Sequence, residues 1–393
     1  MNNKINKPGW QLVRLGDVVH QVKDKLENPS AFGITDYVPG GGISDHSFKI
    51  TEWLPVNDGL MGPAFHMRFL PGHVLYKSRV PHGVAVANRE GICANTTYVL
   101  EAIPNKLLQE LLPFILTTEQ FRQFEYENNR GSTNLFLNYN QIANYEFALP
   151  PLDEQRKIII ILNAIEKLIH NLSTLKAENS RLQVAIVEDF IGQVSNNVAM
   201  KELLQEVNYG SSTRANDDMS GIPILRIPNV LRNEINLSDL KWVKLSKYEV
   251  ERYSVREGDI LIVRTNGNPD YVGRCVVAHN PPTPLVFASY LIRIRIKQEL
   301  VDPDYVATVL NSPTLRQYLR GSVRSSAGNY NLNTQGISRQ QIPLTTLQEQ
   351  RALIGVLRTL QNANEKVSKR IRATQLVKNR TLNELRGYSC LTN

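Results

Sequence analysis

The sequence contains an internal duplication, and this repeat limits the possible folds more than any other feature. The segment that ends in Glu154-Gln155-Arg156 has a counterpart that ends in Glu349-Gln350-Arg351, and the matching residues lie 195 positions apart. Earlier in each copy, Phe121-Arg122-Gln123-Phe124 matches Leu315-Arg316-Gln317-Tyr318 at an offset of 194, and residues 71–75 match residues 257–261 at an offset of 186. Small changes of offset indicate loop insertions in a shared scaffold, so the chain is predicted to hold two similar domains.

A long helix is predicted to follow each copy. After Pro150-Pro151, residues 153–193 contain no proline and only one glycine, and residues 348–386 continue in the same way after the second copy. A helix of about forty residues spans roughly 60 Å, which exceeds the width of a domain of about 150 residues. Each helix should therefore project from its domain.

Apolar residues in both helices recur three and four positions apart, which is typical of a coiled coil. The alternative is that each helix packs only within its own domain. We expect an antiparallel pair with a domain at each end, in which Asn179 meets another polar group and fixes the register. The pattern weakens in the second helix among Lys369, Arg370 and Arg372. The predicted contact residues are Ile158, Ile161, Ile165, Leu168, Leu172, Leu175, Asn179, Leu182 and Ile186 in the first helix, and Leu353, Val356, Leu360, Ala363 and Val367 in the second.

Each repeated domain is predicted to have an α+β fold. Short β-branched segments bounded by Gly, Pro or Asn predict strands at 73–77, 83–87, 96–100, 260–264, 275–278 and 291–297. Helices are expected at 105–125 and 304–319, with short helices at 10–22 and 200–207. The predicted fold class is thus two similar mixed α/β domains (1–152 and 196–347), joined by two long antiparallel coiled-coil helices (153–195 and 348–393) with pseudo-twofold internal symmetry.

The net charge of +8 and the pI near 9.3 favour an anionic partner. The charge is uneven, with a net −1 in residues 1–150 and +6 in residues 346–393. Cys93, Cys275 and Cys390 are isolated, which predicts neither a disulfide framework nor a Cys-x-x-Cys metal site and fits a reducing compartment. No run approaches the ~20 apolar residues of a membrane span, so we expect a cytoplasmic protein without a membrane partner.

The usual catalytic patterns are absent from the sequence. Asn280-Pro281-Pro282-Thr283 resembles the tetrapeptide of DNA amino-methyltransferases, but Thr283 replaces the aromatic residue that would stack on a flipped base. Asp239-Leu240-Lys241 lacks the upstream Pro-Asp of a metal-dependent nuclease. No phosphate-binding loop is present, and the histidines lack metal-site spacing. We therefore expect no catalytic residue, no metal and no cofactor bound by this chain.

Two pairs of polar loops remain as candidates for DNA contact. Their Arg, Lys, Asn, Ser and His side chains suit base edges and phosphates, and they recur at equivalent places in the two copies. The alternative for each loop is an ordinary connection. The candidate DNA-binding residues are Lys77, Ser78, Arg79, His82, Arg130, Ser132 and Asn134 in the first copy, and Arg264, Asn266, Asn268, Arg274, Arg324, Ser326, Asn329 and Tyr330 in the second.

The repeated domain endings resemble those of the specificity subunits of type I restriction-modification systems. The resemblance is carried by Leu149-Pro150-Pro151-Leu152-Asp153-Glu154-Gln155-Arg156, by its second copy at 343–351, and by Trp10-Gln11-Leu12-Val13-Arg14-Leu15-Gly16-Asp17. It covers nearly the whole chain. In the second copy, residues 198–207 match this opening segment only weakly.

This resemblance implies a non-catalytic subunit that reads a bipartite, asymmetric target in double-stranded DNA with an unread spacer. It also implies two methyltransferase subunits that bind S-adenosylmethionine and, for cleavage, restriction subunits that use ATP and Mg²⁺. Two alternatives stay open: a bivalent coiled-coil adaptor between proteins without DNA specificity, and an active methyltransferase or nuclease. DNA binding that falls with salt and depends on sequence would separate the first alternative from DNA recognition.

Overall fold

The structure, a computed structural model, describes residues 8–45, 47–56, 61–131, 135–231, 234–321, 324–326 and 329–384. The chain forms two compact units. Unit 1 comprises Met1–Ser173 and Lys369–Asn393, and unit 2 comprises Thr174–Ser368. Both units contain helices and sheets, so the predicted α+β fold is confirmed.

Unit 1 begins with a β-rich domain. Its strands are β1 Gln11–Arg14, β2 Val19–Val22, β3 Asp36–Val38, β4 Leu54–Pro55, β5 Phe65–Phe69, β6 Val74–Lys77, β7 Gly83–Val86, β8 Gly91–Ala94, β9 Thr97–Ala102 and β10 Glu146–Leu149. Its helices are α1 Leu15–Val18, α2 Leu112–Ile115, α3 Glu119–Asn128 and α4 Tyr139–Ala143, followed by the long α5 Leu152–Gln193. Short 3₁₀ helices span Pro29–Phe32, Gly40–Gly42 and Gln109–Leu111.

Unit 2 has a similar succession of elements, with helix α7 and the strands β16, β20 and β21 as additions. Its strands are β11 Asn197–Ala199, β12 Leu204–Tyr209, β13 Ile222–Leu225, β14 Lys241–Val243, β15 Ile260–Val263, β16 Thr265–Asn266, β17 Cys275–Val277, β18 Val286–Phe287, β19 Leu291–Ile296, β20 Arg324–Ser326, β21 Asn329–Asn331 and β22 Gln341–Pro343. Its helices are α6 Met200–Leu203, α7 Lys247–Tyr253, α8 Pro303–Asn311, α9 Pro313–Gly321, α10 Thr334–Ser338 and the long α11 Leu347–Asn383, with a 3₁₀ helix at Ile227–Val230.

The same sheet topology occurs in both domains. The central sheet has the order β2-β9-β6-β7 in the first domain and β12-β19-β15-β17 in the second. Strand β1 pairs with β10 as β11 pairs with β22, and β3 runs parallel to β8 as β13 runs parallel to β18. The register is shared too, since Leu75 faces Val99 and Leu261 faces Arg293. The structure thus shows the duplication that the sequence predicts.

Two parts of the sequence prediction for the domains were wrong. Residues 10–22 and 200–207 were expected to be short helices, but each forms a single helical turn, α1 or α6, that is followed by a strand. The strand conformation is favoured here because β2 and β12 form backbone hydrogen bonds with the neighbouring strands β9 and β19, respectively. The expected helix at 105–125 is also divided: Thr118 ends one helical segment and caps α3 by accepting a hydrogen bond from the amide of Phe121 at 3.1 Å. The expected helix at 304–319 is divided in the same way, because Ser312 ends α8 and α9 begins at Pro313.

A buried glutamine explains why each domain ends in Glu-Gln-Arg. Gln155 is fully buried; its side chain accepts a hydrogen bond from the amide of Leu108 at 2.8 Å and donates to the carbonyls of Lys106 and Pro150. Gln350 is equally buried, accepts from the amide of Asp302 at 2.8 Å and donates to the carbonyl of Thr345. Each glutamine satisfies backbone groups that burial would otherwise leave unpaired, and so fixes the start of the long helix on its domain.

The long helices pair in antiparallel fashion within each unit. In unit 2, Asn179 donates to Asn364 at 3.2 Å, and Gln183, one turn further along α5, donates to the carbonyl of Leu357, about two turns earlier on α11. In unit 1, Glu166 forms an ion pair with Lys378. Asn179 therefore has the polar partner expected for a residue that fixes register.

The contact face of α5 differs from the prediction at every second contact position. At Ile161, Leu168 and Leu182, the residue that faces inward is the one directly after the predicted residue. On α5, Leu162 is fully buried, whereas Ile161 and Leu168 are 49% and 38% exposed. Leu175 and Leu182 are likewise exposed. Both sets of positions carry apolar residues, so periodicity alone does not choose between them; packing of Ile158 and Leu162 into the domain core does. The observed face consists of Ile158, Leu162, Ile165, Ile169, Leu172, Asn179, Gln183 and Ile186.

The contact face of α11 continues to the end of the helix. Val356 is exposed, and Leu357 takes its place. The face comprises Leu353, Leu357, Leu360, Asn364, Val367, Ile371, Thr374 and Lys378. The pattern weakens in sequence because Thr374 and Lys378 are polar, and they stay inside by hydrogen bonding to the carbonyl of Arg370 and by pairing with Glu166, respectively.

Helix α5 is the one helix in the described part of the chain that is long and apolar enough, by length and composition, to cross a membrane. A single helix of this kind is weak evidence for a membrane span. Within each unit its inner face is covered by α11 and by the domain core. This finding leaves the expectation of no membrane partner as a prediction.

Candidate nucleic-acid interface

The two polar loops of the first domain meet at one end of its central sheet. We call residues 77–82, 129–131 and 135–137 loop pair 1. Arg130 and Phe136 exchange two backbone hydrogen bonds of 2.9 Å, and Arg79 forms an antiparallel bridge with Phe136. The carbonyl of Ser78 accepts from the amide of Leu137 at 3.0 Å. Loops that lie about fifty residues apart in sequence therefore form one surface.

The candidate residues of loop pair 1 differ in exposure. Arg79 and Arg130 are exposed, whereas Ser78 is buried and its hydroxyl donates to the carbonyl of Thr96 at 2.6 Å. The prediction that Ser78 offers its hydroxyl to DNA does not fit this position, because the short side chain points into the domain. Lys77 is half-buried and donates to the carbonyl of Gly40 at 3.3 Å, and burial lowers its pKa. Ser132 and Asn134 lie outside the described residues.

His82 is held from both ring nitrogens. Its Nε2 lies 2.9 Å from Oδ1 of Asn129, and its Nδ1 lies 3.3 Å from the carbonyl of Lys77. The ring stacks on Tyr76 with centroids 5.8 Å apart. Burial lowers the pKa of His82, so the neutral ring is favoured near pH 7. His82 thus joins the two loops rather than projecting from them.

A buried carboxyl group lies beneath loop pair 1. The hydroxyl of Tyr76 donates to Oε1 of Glu125 at 2.7 Å. Burial raises the pKa of Glu125 to about 7, although the hydrogen bond from Tyr76 and the charge of Arg122 lower it. Sequence reasoning missed this pair because an isolated Glu on a predicted helix is normally exposed.

The two polar loops of the second domain also meet, and here they form a small sheet. We call residues 264–274, 324–326 and 329–332 loop pair 2. Strand β16 pairs with β21, which in turn pairs with β20. The carbonyl of Arg264 accepts from the amide of Leu332 at 2.8 Å, as Ser78 accepts from Leu137 in the first domain. Arg264 and Ser78 are therefore equivalent positions of the repeat.

Arg264 is half-buried and firmly placed. Its guanidinium carbon lies 4.5 Å from the ring centroid of Tyr209, and its NH1 donates to the carbonyl of Ser289 at 3.2 Å. The hydroxyl of Tyr209 accepts from the amide of Thr334 at 3.3 Å, so the ring is itself anchored. Sequence reasoning missed Tyr209, which lies 55 residues before Arg264 and carries no local signal.

The remaining residues of loop pair 2 shape the loop as well as line it. The side-chain oxygens of Asn266 and Asn268 accept from the amides of Asn268 and Asp270, both at 2.9 Å, and so stabilise consecutive turns. Arg274 stacks on Tyr271 at 4.9 Å and donates to the carbonyl of Asp270. Tyr330 is half-buried. The side chains of Arg324, Ser326 and Asn329 lie outside the described part of the structure, although their backbones form β20 and β21.

The other sequence patterns that suggested chemistry have structural partners. Asp239 accepts from Arg226 at 3.2 Å, and the amide of Asn280 donates to Glu257 at 2.6 Å. Cys93 and Cys275 are buried, and burial raises the pKa of both thiols. Within the described ranges, no cluster of three or more His, Cys, Asp or Glu residues is placed to hold a metal ion.

One family model and one curated relative match part of the chain. Residues 62–179 match the family model of the type I restriction modification DNA specificity domain. The chain is 25% identical over 256 residues to the type I restriction enzyme EcoKI specificity subunit of Escherichia coli (strain K12), covering 58% of this chain and 54% of that relative. It therefore spans about half the length of that relative.

Two further comparisons cover nearly the whole chain. The type I restriction enzyme MjaVIII specificity subunit of Methanocaldococcus jannaschii is 22% identical over 411 residues, covering 96% of this chain and 92% of that one. A solved chain from a structural study of complex assembly and conformational transition of the type I R-M system has a TM-score of 0.63 at 18% identity, covering 97% of this chain and 98% of that chain. The latter likeness shows the fold. Together the comparisons confirm the predicted resemblance to type I restriction-modification specificity subunits.

Proposed function

We propose that this relative of type I restriction-modification specificity subunits is the DNA-recognition subunit of such an enzyme. It reads a bipartite, asymmetric target in double-stranded DNA, one half-site for each domain, and leaves the spacer unread. The observation that carries the proposal is that two domains with one topology each join two polar, Arg-bearing loops at the same place. The scaffold is repeated while the side chains differ, as two different half-sites require.

Catalysis belongs to other subunits under this proposal. Two methyltransferase subunits bind S-adenosylmethionine and act on the DNA that this chain selects. Restriction subunits with ATP and Mg²⁺ supply cleavage where they are present. The complex works in the cytoplasm, without a membrane, and this chain contributes no catalytic residue, metal or cofactor. The support is the family match of residues 62–179 together with the absence of catalytic patterns from the sequence.

Methylome sequencing tests the proposal directly. A host without other DNA methylation receives this chain together with its methyltransferase partner. We expect one two-part methylated sequence of fixed spacing. Changing Arg79 and Arg130 to Ala should weaken or alter one half-site, and changing Arg264 and Arg274 should affect the other, because each pair lies in one domain.

The control changes the exposed residues Arg156 and Arg351 on the long helices to Ala. It also removes two positive charges, but it leaves both loop pairs unchanged. The control variant should methylate the same two-part DNA sequence as the wild type. The absence of any methylated sequence, or binding of the purified complex to all duplexes alike, would favour the bivalent adaptor. Methyl transfer by the purified chain alone would overturn the assignment of catalysis to other subunits.

A further inference from the structure

Arg264, like Arg274 of the same loop pair, forms no ion pair in the part of the chain that the structure describes, whereas several other arginines of the second domain do. Arg320 pairs with Asp270, and the buried Arg293 and Arg295 are neutralised by Glu206 and Asp259. In the part of the chain that the structure describes, no carboxylate lies within 4.0 Å of the Arg264 guanidinium. Its charge is therefore available to a partner outside the protein.

The side chain is also fixed before any partner arrives. Both backbone groups of Arg264 are hydrogen-bonded, to Tyr290 and Leu332, one guanidinium nitrogen is bound to the carbonyl of Ser289, and the Tyr209 ring lies against the planar group. A stacked guanidinium loses little further conformational entropy on binding. Its remaining N–H donors therefore point in a fixed direction before the partner arrives. A flexible surface arginine would serve a phosphate equally well, whereas a set direction is what a base edge requires.

The geometry points to Arg264 as a specificity-determining residue that reads a guanine, with Tyr209 as the residue that positions it. This inference rests on the proposed function. The Arg fork matches O6 and N7 of guanine in the major groove, and a β-ribbon such as β20–β21 beside Arg264 is narrow enough to enter that groove. The partner is thus a G·C pair in the half-site of the second domain.

The first domain supplies an internal comparison. Its equivalent residue, Ser78, keeps the same backbone hydrogen bonds but is buried and bonded to Thr96. The first domain therefore has no reader at this position. A guanine contact made by Arg264 is expected in one half-site without a counterpart at the matching position of the other.

The test uses the full chain purified with its methyltransferase subunits. Wild-type complex first selects its site from a pool of random duplexes, and affinities are then measured for duplexes in which each base pair of that site is replaced in turn. A further set carries 7-deazaguanine, which lacks N7, at each guanine. We expect one guanine of one half-site at which replacement costs the wild type about tenfold or more.

Arg264→Ala should bind all four base pairs at that position within about threefold and keep the wild-type preference at every other position. Arg264→Lys, which keeps the charge but not the planar fork, should lose most of the same discrimination. Tyr209→Leu should remove most of the discrimination at this position, and Tyr209→Phe, which keeps the ring but loses the hydrogen bond from Thr334, should retain most of it. Tyr248→Leu is the matched control, because Tyr248 is an exposed tyrosine of the same domain on helix α7.

Two results would overturn the inference. In the first, Arg264→Ala lowers the affinity for every duplex equally and reduces the salt slope by about one, which would make Arg264 a phosphate contact. Alternatively, the lost preference would be for a base pair other than G·C, or would be insensitive to 7-deazaguanine. A wild-type complex that selects no sequence would instead contradict the proposed function itself, so the two failures are distinguishable.

Discussion

The two domains share one backbone but fill the middle of their central sheets with opposite chemistry. In the first domain Leu75 faces Val99, and both are fully buried. In the second, Leu261 faces Arg293, which is 1% exposed and donates to Glu206 at 2.7 Å. The pairing register is the same although an aliphatic residue and a charged residue hold the same place.

The sheet topology therefore does not depend on whether the buried side chains in the sheet are aliphatic or charged. The second domain tolerates Arg293 because its neighbours form a network: Asp259 accepts from Arg295 at 2.7 Å, and Glu206 binds both arginines. A buried ion pair of this kind contributes little compared with an apolar pair, but losing one partner is costly. The second domain should therefore be the more sensitive to single substitutions in its sheet.

The largest expected effect comes from Asp259→Ala. Asp259 is 1% exposed, and its removal leaves two arginines in the sheet short of a partner. We expect the second domain to lose about 3–5 kcal/mol of unfolding free energy. Hydrogen exchange resolved by peptide measures each domain separately. Asp153→Ala, at a salt bridge with an 88% exposed carboxylate, is the control and should cost at most about 0.5 kcal/mol. Equal effects of the two substitutions would contradict the role of Asp259 as a buried partner of the sheet arginines.

A pH-dependent effect is expected in the first domain. Burial raises the pKa of Glu125 to about 7, from 4.5, and the repeat places Leu319 at the equivalent position of the second domain. The folded state then binds the proton more tightly than the unfolded state, so the first domain should lose stability as pH rises from about 4.5 to about 7. A pKa difference of this size between the folded and unfolded states corresponds to a loss on the order of 3 kcal/mol of unfolding free energy.

Glu125→Gln should remove this pH dependence, because the amide can still accept from Tyr76 but does not titrate. Urea unfolding followed at pH 5, 6, 7 and 8 measures the effect in each domain. Glu127→Gln on the exposed face of α3 is the matched control. A wild-type first domain whose stability does not change across this range would refute the role of Glu125.

An equal effect in both domains is expected from the buried glutamines. Gln155→Ala and Gln350→Ala each leave a partly buried amide, that of Leu108 or Asp302, without its partner. We expect a loss of about 1–3 kcal/mol of unfolding free energy in the domain concerned, with faster hydrogen exchange at the amide that loses its partner. Gln123→Ala, at an exposed glutamine bound to Glu127, is the control. A large loss in only one domain would mean that the repeated Glu-Gln-Arg has separate roles.

The sequence was sufficient for features that rest on periodicity or repetition. The long helices, the main strands and the duplication follow from regular spacing, and they fold as predicted. It was insufficient wherever two patterns fitted equally well. Ile161 and Leu162 are both apolar, and only the packing of Leu162 into the core decides the helix face.

The candidate interface was predictable in its location but not in its side-chain roles. The loops were expected because polar residues follow equivalent strands, and the structure brings each pair together. Whether a side chain such as Ser78 points outward depends on its local hydrogen bonds, and the stacking of Tyr209 on Arg264 joins residues far apart in sequence. Neither interaction leaves a trace in local spacing.

The smallest expected effect concerns Ser78, the first-domain residue equivalent to Arg264 in the candidate interface. Ser78→Ala removes one hydrogen bond to the carbonyl of Thr96 and should cost the first domain about 1 kcal/mol. Because the hydroxyl is buried, base preference should stay unchanged at every position of both half-sites, whereas Arg264→Ala at the equivalent position should alter one. Binding selection on random duplexes measures both variants together. A changed half-site for Ser78→Ala would show that this hydroxyl reaches DNA, and the two equivalent positions would then share a function despite their different burial.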